Sequence, residues 1–280
     1  IRLLASGVPV ILYKYMSFEA AQQVIKNRTI GFSCLEDLND PFECSAFGFE
    51  DNVGSNIPAS VAANACKNRF SRKYAVLSMT RQPLNALMWS HYGDSHQGVV
   101  IGIDVDVAGL NNQRTNVIPS DFGEMIYCLT KRHRNLPVIS EETLMSIGQD
   151  IEFDANMINL VKRAFLYKSL EWAYEEEVRI VKNISHIPFA YHGEGGTHEQ
   201  WTKISVSGRP LYCFTIPENS IKEIYLGSQV YRNVTRKKSL TNVEFVALIE
   251  SWLVPRRTVS ICKASIGTWD LISDVWANKS

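Results

Sequence analysis

The chain has 280 residues, 45% of them hydrophobic and 21% charged, a globular make-up that excludes disordered, collagen-like and coiled-coil chains. Lys plus Arg and Asp plus Glu both number 29 and cancel, so bulk charge does not drive the chain onto nucleic acid or an anionic membrane, and such binding needs a local basic patch. No apolar run approaches the ~18 residues that span a bilayer; the opening Ile1-Arg2-Leu3-Leu4 is too short, and lacks the small-residue cleavage pattern, to read as a signal peptide, which leaves a removed leader open; and six cysteines without a C-x-x-C pair fit a reduced, cytoplasmic protein.

Val10 to Tyr15 is rich in β-formers and ends at Ser17, a helix cap, after which Phe18, Ala21, Val24 and Ile25 keep helical spacing. Thr29–Ser33 reads as a second strand, followed by the turn Asn39-Asp40-Pro41. Pro58 opens a helix running through Phe70, Ala75–Met79 is a strand, and Leu84 to about Tyr92 is a short helix. Val99–Asp104 and Glu124–Leu129 read as strands. From Ser140 to Leu170 the apolar spacing predicts one long helix or two consecutive ones. Strands follow at Glu177–Val181, Leu211–Ile216, Ile221–Leu226 and Val259–Ala264, with a helix around Val243–Trp252 and a glycine-rich loop at Tyr191–Gln200. Strands and helices mix without regular alternation, which predicts an α+β fold of antiparallel strand groups with helices at one side. No linker divides the chain, so residues 1–280 read as a single domain.

Three constellations could carry chemistry. Trp172-Ala173-Tyr174-Glu175-Glu176-Glu177-Val178-Arg179 sets carboxylates at the mouth of an apolar strand; in extended chain Glu175, Glu177 and Arg179 share one face. Repulsion between the acids raises at least one pKa, and Arg179 opposes that shift. On periodicity alone, an exposed acidic turn before an edge strand is the commoner reading. Met88-Trp89-Ser90-His91-Tyr92 combines rings with an imidazole and could wall a planar ligand, against the alternative of a helix burying Trp89 and Tyr92. Leu38-Asn39-Asp40-Pro41-Phe42-Glu43 is a turn whose acids could join Glu177 around a ligand. Two basic runs, Lys131–Arg134 and Arg232–Lys238, read as solvated loops or as phosphate contacts.

The segments Leu12-Tyr13-Lys14-Tyr15, Asn39-Asp40-Pro41-Phe42-Glu43, Met88-Trp89-Ser90-His91-Tyr92, Trp172-x-x-Glu175-x-Glu177-x-Arg179 and Ile221-Lys222-Glu223-Ile224-Tyr225-Leu226-Gly227 together resemble a bacterial family of unknown function associated with phage defence. More distantly the chain is similar to DarT-type ADP-ribosyltransferases, which modify DNA. Tyr13-Lys14 stands at their first strand, Ser78 through Tyr92 at their central segment, and Glu177-Val178-Arg179-Ile180-Val181 at their catalytic strand. That resemblance implies split antiparallel sheets with flanking helices and NAD as co-substrate. It implies Glu177 as the catalytic acid, with Glu175 orienting or deprotonating the acceptor. Lys14, Tyr15, Asn39, Trp89, Ser90, His91, Tyr92 and Arg179 would hold the cofactor. Lys14 replaces the family's His or Arg, and lysine meets a diphosphate as a point charge without the guanidinium fork.

The resemblance further implies a nucleic acid acceptor, a toxin or effector role in phage defence, and restraint by an antitoxin, sometimes with a chaperone. The alternatives are a metal-dependent nuclease using Asp40, Glu43, Glu175 and Glu177 with Mg²⁺, and a catalytically inactive module that senses a nucleotide.

Overall fold

The computed structural model describes residues 9–40, 59–129, 145–148, 155–184, 197–198, 201–253, 257–264 and 270–279. Pro41–Glu43, Pro58, the basic run Lys131–Arg134 and most of the Tyr191–Gln200 loop lie outside them.

Strand β1 (Ile11–Met16) runs into helix α1 (Phe18–Asn27), which Ser17 caps by accepting the Ala20 N–H at 3.2 Å. Arg28, left-handed at φ 54°, ends the helix and turns the chain into β2 (Thr29–Cys34). There follow α2 (Ala59–Lys73), β3 (Tyr74–Thr80), α3 (Ala86–His91), β4 (Val99–Asp104) and β5 (Ile126–Cys128). Next come α4 (Ala155–Phe165), β6 (Tyr167–Ser169), a 3₁₀ turn at Leu170–Glu175 and β7 (Glu177–Asn183). The chain closes with β8 (Thr197–His198), β9 (Trp201–Val206), β10 (Arg209–Thr215), β11 (Ile221–Leu226), α5 (Val230–Lys238), α6 (Asn242–Glu250), β12 (Arg257–Ala264) and β13 (Leu271–Lys279).

The α+β class holds: among the described residues one 11-stranded sheet, antiparallel except between β11 and β12, stands beside a small parallel β5–β6 pair. The sheet forks at β3. One edge of β3 pairs along its whole length with β7, from Tyr74↔Asn183 to Thr80↔Glu177. On the other edge β2 takes one end, at Ser33↔Val76 and Cys34↔Ala75, while β1 takes the other, at Tyr13↔Thr80. Leu77, Ser78 and Met79 thus face a gap between the two arms. β4, β11, β12 and β13 extend the arm begun by β1, and β10, β9 and β8 extend the arm begun by β2.

Helices cover both faces rather than one. Alternate side chains of β3 point opposite ways: Ala75, Leu77 and Met79 join a core with Phe18 and Ala21 of α1, Val230 and Val234 of α5, and Phe245 and Ile249 of α6. Tyr74 and Val76 join a second core with Cys66 and Phe70 of α2 and Leu160, Val161 and Phe165 of α4. Among the described residues no helix is long and apolar enough to cross a membrane.

Several expected elements differ. The helical pattern extended to Leu170 stops at Phe165, because Tyr167–Ser169 pair with β5 instead. Arg232–Lys238, read as loop, is helix α5; Val230 and Val234, four apart, bury one face against the core and leave the charges outside. Within the expected glycine-rich loop, Thr197 and His198 form strand β8 against β9. Strand β9 reaches β10 through a two-residue hairpin at Ser207-Gly208, both at positive φ, as such turns require.

Helix α3 is held by one amide. The Asn85 Oδ1 accepts the N–H groups of Leu87 at 3.0 Å and Met88 at 3.2 Å, while its Nδ2 donates to the Tyr174 carbonyl at 2.8 Å. The side chain therefore caps α3 and ties it to the 170–175 turn. Asn85→Ala is expected to lower stability by about 1–2 kcal/mol in urea unfolding. A loss below about 0.5 kcal/mol, the level of an inert surface change, would show the tie to be idle.

Candidate functional site

A cavity of about 220 Å³ opens in the fork of the sheet. β1 contributes Lys14 and Tyr15, the turn after β2 contributes Asp37 to Asp40, β3 contributes Ser78 and Thr80, and α3 contributes Met88 and its C-cap Tyr92. Lys168, Glu175, Glu177 and Arg179 form the remaining wall.

The acids come together through a kink rather than an extended strand. Glu175 ends the 3₁₀ turn, Glu176 is left-handed at φ 43°, and Glu177 opens β7. This break folds the chain so that both flanking carboxylates meet one ammonium: Lys168 Nζ lies 2.6 Å from Glu175 Oε2 and 2.9 Å from Glu177 Oε2. Arg179 donates from Nε to Glu177 Oε1 at 2.7 Å, from Nη2 to Glu177 Oε2 at 3.2 Å, and from Nη1 to the Phe165 carbonyl at 2.8 Å. All four side chains are buried, Arg179 at 1% exposure and Glu177 at 5%. Burial alone would push the Glu177 carboxyl up, but the adjacent Arg179 and Lys168 charges reverse this and hold it at about 2. For Lys168, burial favours the neutral form and the two glutamates outweigh it, leaving its pKa raised. The mutual repulsion expected of Glu175 and Glu177 is thus replaced by a shared cation.

β7 is not an edge strand. Residues 117–125 cover its second side: Arg179 N–H donates to the Gly123 carbonyl at 2.8 Å, Met125 N–H to the Glu177 carbonyl at 3.2 Å, and Ile118 bridges to Val181. The approach at Gly123 leaves no room for a side chain, since a Cβ there would stand 1.9 Å from the Arg179 carbonyl oxygen. Tyr127 accepts the Glu177 N–H at 2.9 Å.

Across the cavity, Lys14 Nζ donates to the Ser78 carbonyl at 2.8 Å, satisfying a backbone group that the fork leaves without a partner strand. Burial lowers the Lys14 pKa, and Glu177 and Glu175 only partly counter it. The Ser78 hydroxyl lies near enough to favour ionised Glu177 yet makes no hydrogen bond of normal geometry among the described residues; Asp37 Oδ2 is a second buried oxygen without a donor. The Tyr92 hydroxyl donates to Glu175 Oε1 at 2.6 Å, and burial together with that carboxylate raises the phenol pKa.

Of the residues expected at a site, Lys14, Tyr15, Asn39, Tyr92, Glu175, Glu177 and Arg179 line this cavity, and Trp89, Ser90 and His91 do not. Trp89 is fully buried, its Nε1 donating to the Pro83 carbonyl at 2.9 Å and its ring edge-on to Tyr15 at 5.3 Å. It is packing rather than a stacking surface. Ser90 and His91 are exposed on the outer side of α3. Trp172, read as core, is half-buried and lies over the Lys168 ammonium at 5.1 Å. The residues that sequence reasoning missed are Lys168, Ser78 and Asp37. Glu43 lies outside the described residues, and among those described no three His, Cys, Asp or Glu converge as metal ligands. Lys168 itself fills the place between Glu175 and Glu177 that a cation would take.

Two outcomes test this network. Glu177 has a folded pKa below its ordinary 4.5, so its contribution, on the order of 3 kcal/mol, is complete above pH ~4.5 and is lost as the pH falls toward ~2. Urea unfolding across that window should show the loss, and Glu177→Gln should flatten it. Lys168→Met leaves two acids beside a single Arg179. It is expected to cost roughly 3–5 kcal/mol at pH 7 and to recover part of that near pH 5, as one carboxyl takes up a proton. A variant as stable as wild type at pH 7 would show that Lys168 is not what holds the acids.

Residues 88–180, about a third of the chain, match a family described as protein of unknown function (DUF2971). The matched stretch begins at Met88 and takes in Tyr92, Lys168, Glu175, Glu177 and Arg179, one wall of the cavity. No curated protein and no solved structure matches the chain.

Proposed function

We propose that the chain transfers ADP-ribose from NAD to a nucleic acid, using the cavity in the forked sheet. The observation that carries this reading is Glu177, a buried carboxylate kept ionised at about 2 on a cavity wall. Breaking the bond between ribose C1′ and the nicotinamide nitrogen sends the electron pair to nicotinamide and leaves an oxocarbenium-like sugar, as in glycoside cleavage. A carboxylate that stays anionic stabilises that cation more than the bound NAD.

Glu177 Oε1 accepts one bond from Arg179, which leaves it able to take a ribose hydroxyl as well. Glu175 accepts the proton from the attacking group as that group bonds to C1′. Tyr92 and Tyr15 offer ring surfaces for nicotinamide, Asn39 a polar group, and Lys14 a point charge for the diphosphate. Lys168 and Arg179 are positioning residues that hold the acids. The split of the sheet between β1 and β2 fits the resemblance to ADP-ribosyltransferases. The same resemblance supports a toxin or effector role in phage defence, acting in the cytoplasm and restrained by an antitoxin, with a chaperone in some systems. The metal-dependent nuclease is the weaker reading, because Lys168 fills the space between its would-be ligands.

The test is incubation of the full chain with NAD, following free nicotinamide. Glu177→Gln should lower release by about a hundredfold or more in protein shown by its melting profile to be folded, and a chelator should change nothing. An equally active variant removes Glu177 from the mechanism. NAD binding without turnover in the wild type would leave a nucleotide-sensing module.

A further inference from the structure

A second cavity, of about 110 Å³, is lined by Gln97, Gln229, Arg232, Asn233 and Arg236. Arg232 and Arg236 lie four apart on α5 and so share one face. Both are exposed, and among the described residues neither forms an ion pair. Gln229 stands at the N-cap without a side-chain cap, and the first turn of α5 carries no acid. Two guanidinium groups beside an uncapped helix start suit an anion, and guanidinium matches the geometry of a phosphate.

Asn233 adds a different demand. It is 8% exposed and its Oδ1 is buried with no donor among the described residues, so an anion alone leaves it unsatisfied. A hydroxyl or amine carried next to a phosphate would supply that donor.

We infer that this cavity seats the ribose-phosphate of an RNA strand, with Arg232 and Arg236 on the phosphate and Asn233 accepting from the 2′-hydroxyl. RNA sets that hydroxyl beside every phosphodiester and DNA does not. The cavity has half the volume of the cleft in the fork and suits one backbone unit rather than a whole dinucleotide. It is joined through the loop after α3 to that helix, whose Met88 lines the cleft: Gln229 N–H donates to the His96 carbonyl at 3.0 Å, and His96 N–H to the Trp89 carbonyl at 3.2 Å. As an acceptor site the inference rests on the proposed transfer reaction; as a binding site it does not need NAD.

The experiment is fluorescence anisotropy of the full chain with labelled 12-nucleotide RNA and DNA of equivalent sequence, without NAD. RNA should bind roughly tenfold tighter than DNA. Arg232→Gln and Arg236→Gln, changes on the exposed face of a helix, should each weaken RNA binding about five- to tenfold and reduce the salt slope by about one. Asn233→Ala should close the gap between RNA and DNA; if that variant does not fold, the two arginine variants still decide. Equal wild-type affinity for RNA and DNA, or RNA affinity unchanged in the double arginine variant, would overturn the inference. So would a ribonucleoside monophosphate that competes as well as the strand, since the cavity would then be a nucleotide site. RNA binding retained in a chain that never releases nicotinamide would sink only the NAD reading.

Discussion

Two carboxylates can share a dry interior only if positive charge is buried with them. In this protein that charge is the Lys168 ammonium, 2.6 and 2.9 Å from Glu175 and Glu177, with the Arg179 guanidinium behind it. The arrangement depends on three local events. The helical stretch ends at Phe165, so that Lys168 lies on a short strand. The left-handed Glu176 turns its two neighbours toward the same point. Residues 117–125 cover the outer edge of β7, and both acids are buried. Each event alone is modest; together they keep an acid ionised where burial opposes it.

The fork gives those acids something to face. β1 and β2 are joined through α1, yet they meet β3 at opposite ends, and the interval between them is open backbone. A sheet ordinarily closes such a gap with hydrogen bonds. Here Lys14 supplies the donor for the Ser78 carbonyl, and the space becomes a cavity instead of a ladder. Ion network and cavity therefore share β3 and β7, and the side chains of the network are themselves one wall of the cavity.

Much of the secondary structure was legible because it is local. Ser17 before an amphipathic stretch marks α1, the β-rich run read at Val10–Tyr15 is strand Ile11–Met16, and Val99–Asp104 is a strand as read. The grouping of Glu175, Glu177 and Arg179 was legible too, though by a route the chain does not take: extended alternation predicts the shared face, and a kink at Glu176 delivers it. Lys168 was not legible. In sequence it ends an apolar helical pattern, and only pairing between β5 and β6, some forty residues apart, places it beside the acids. Trp89 shows the opposite failure. Its motif suggested a ring available to a ligand, but whether a helical residue points toward the cavity or the core depends on how α3 docks, which the Asn85 tie decides. The fork likewise arises from the register of three strands distant in sequence.

The ion cluster is electrically closed: two acids and two bases cancel among themselves. An incoming molecule therefore meets little of their gross charge. What the cavity offers beside them includes the Lys14 ammonium, the Ser78 hydroxyl and Asp37 Oδ2, the last two without a hydrogen-bond partner among the described residues. Selectivity in such a vestibule falls to guests that bring hydroxyl or amide hydrogens together with a compact negative group, such as a diphosphate, that one ammonium can meet.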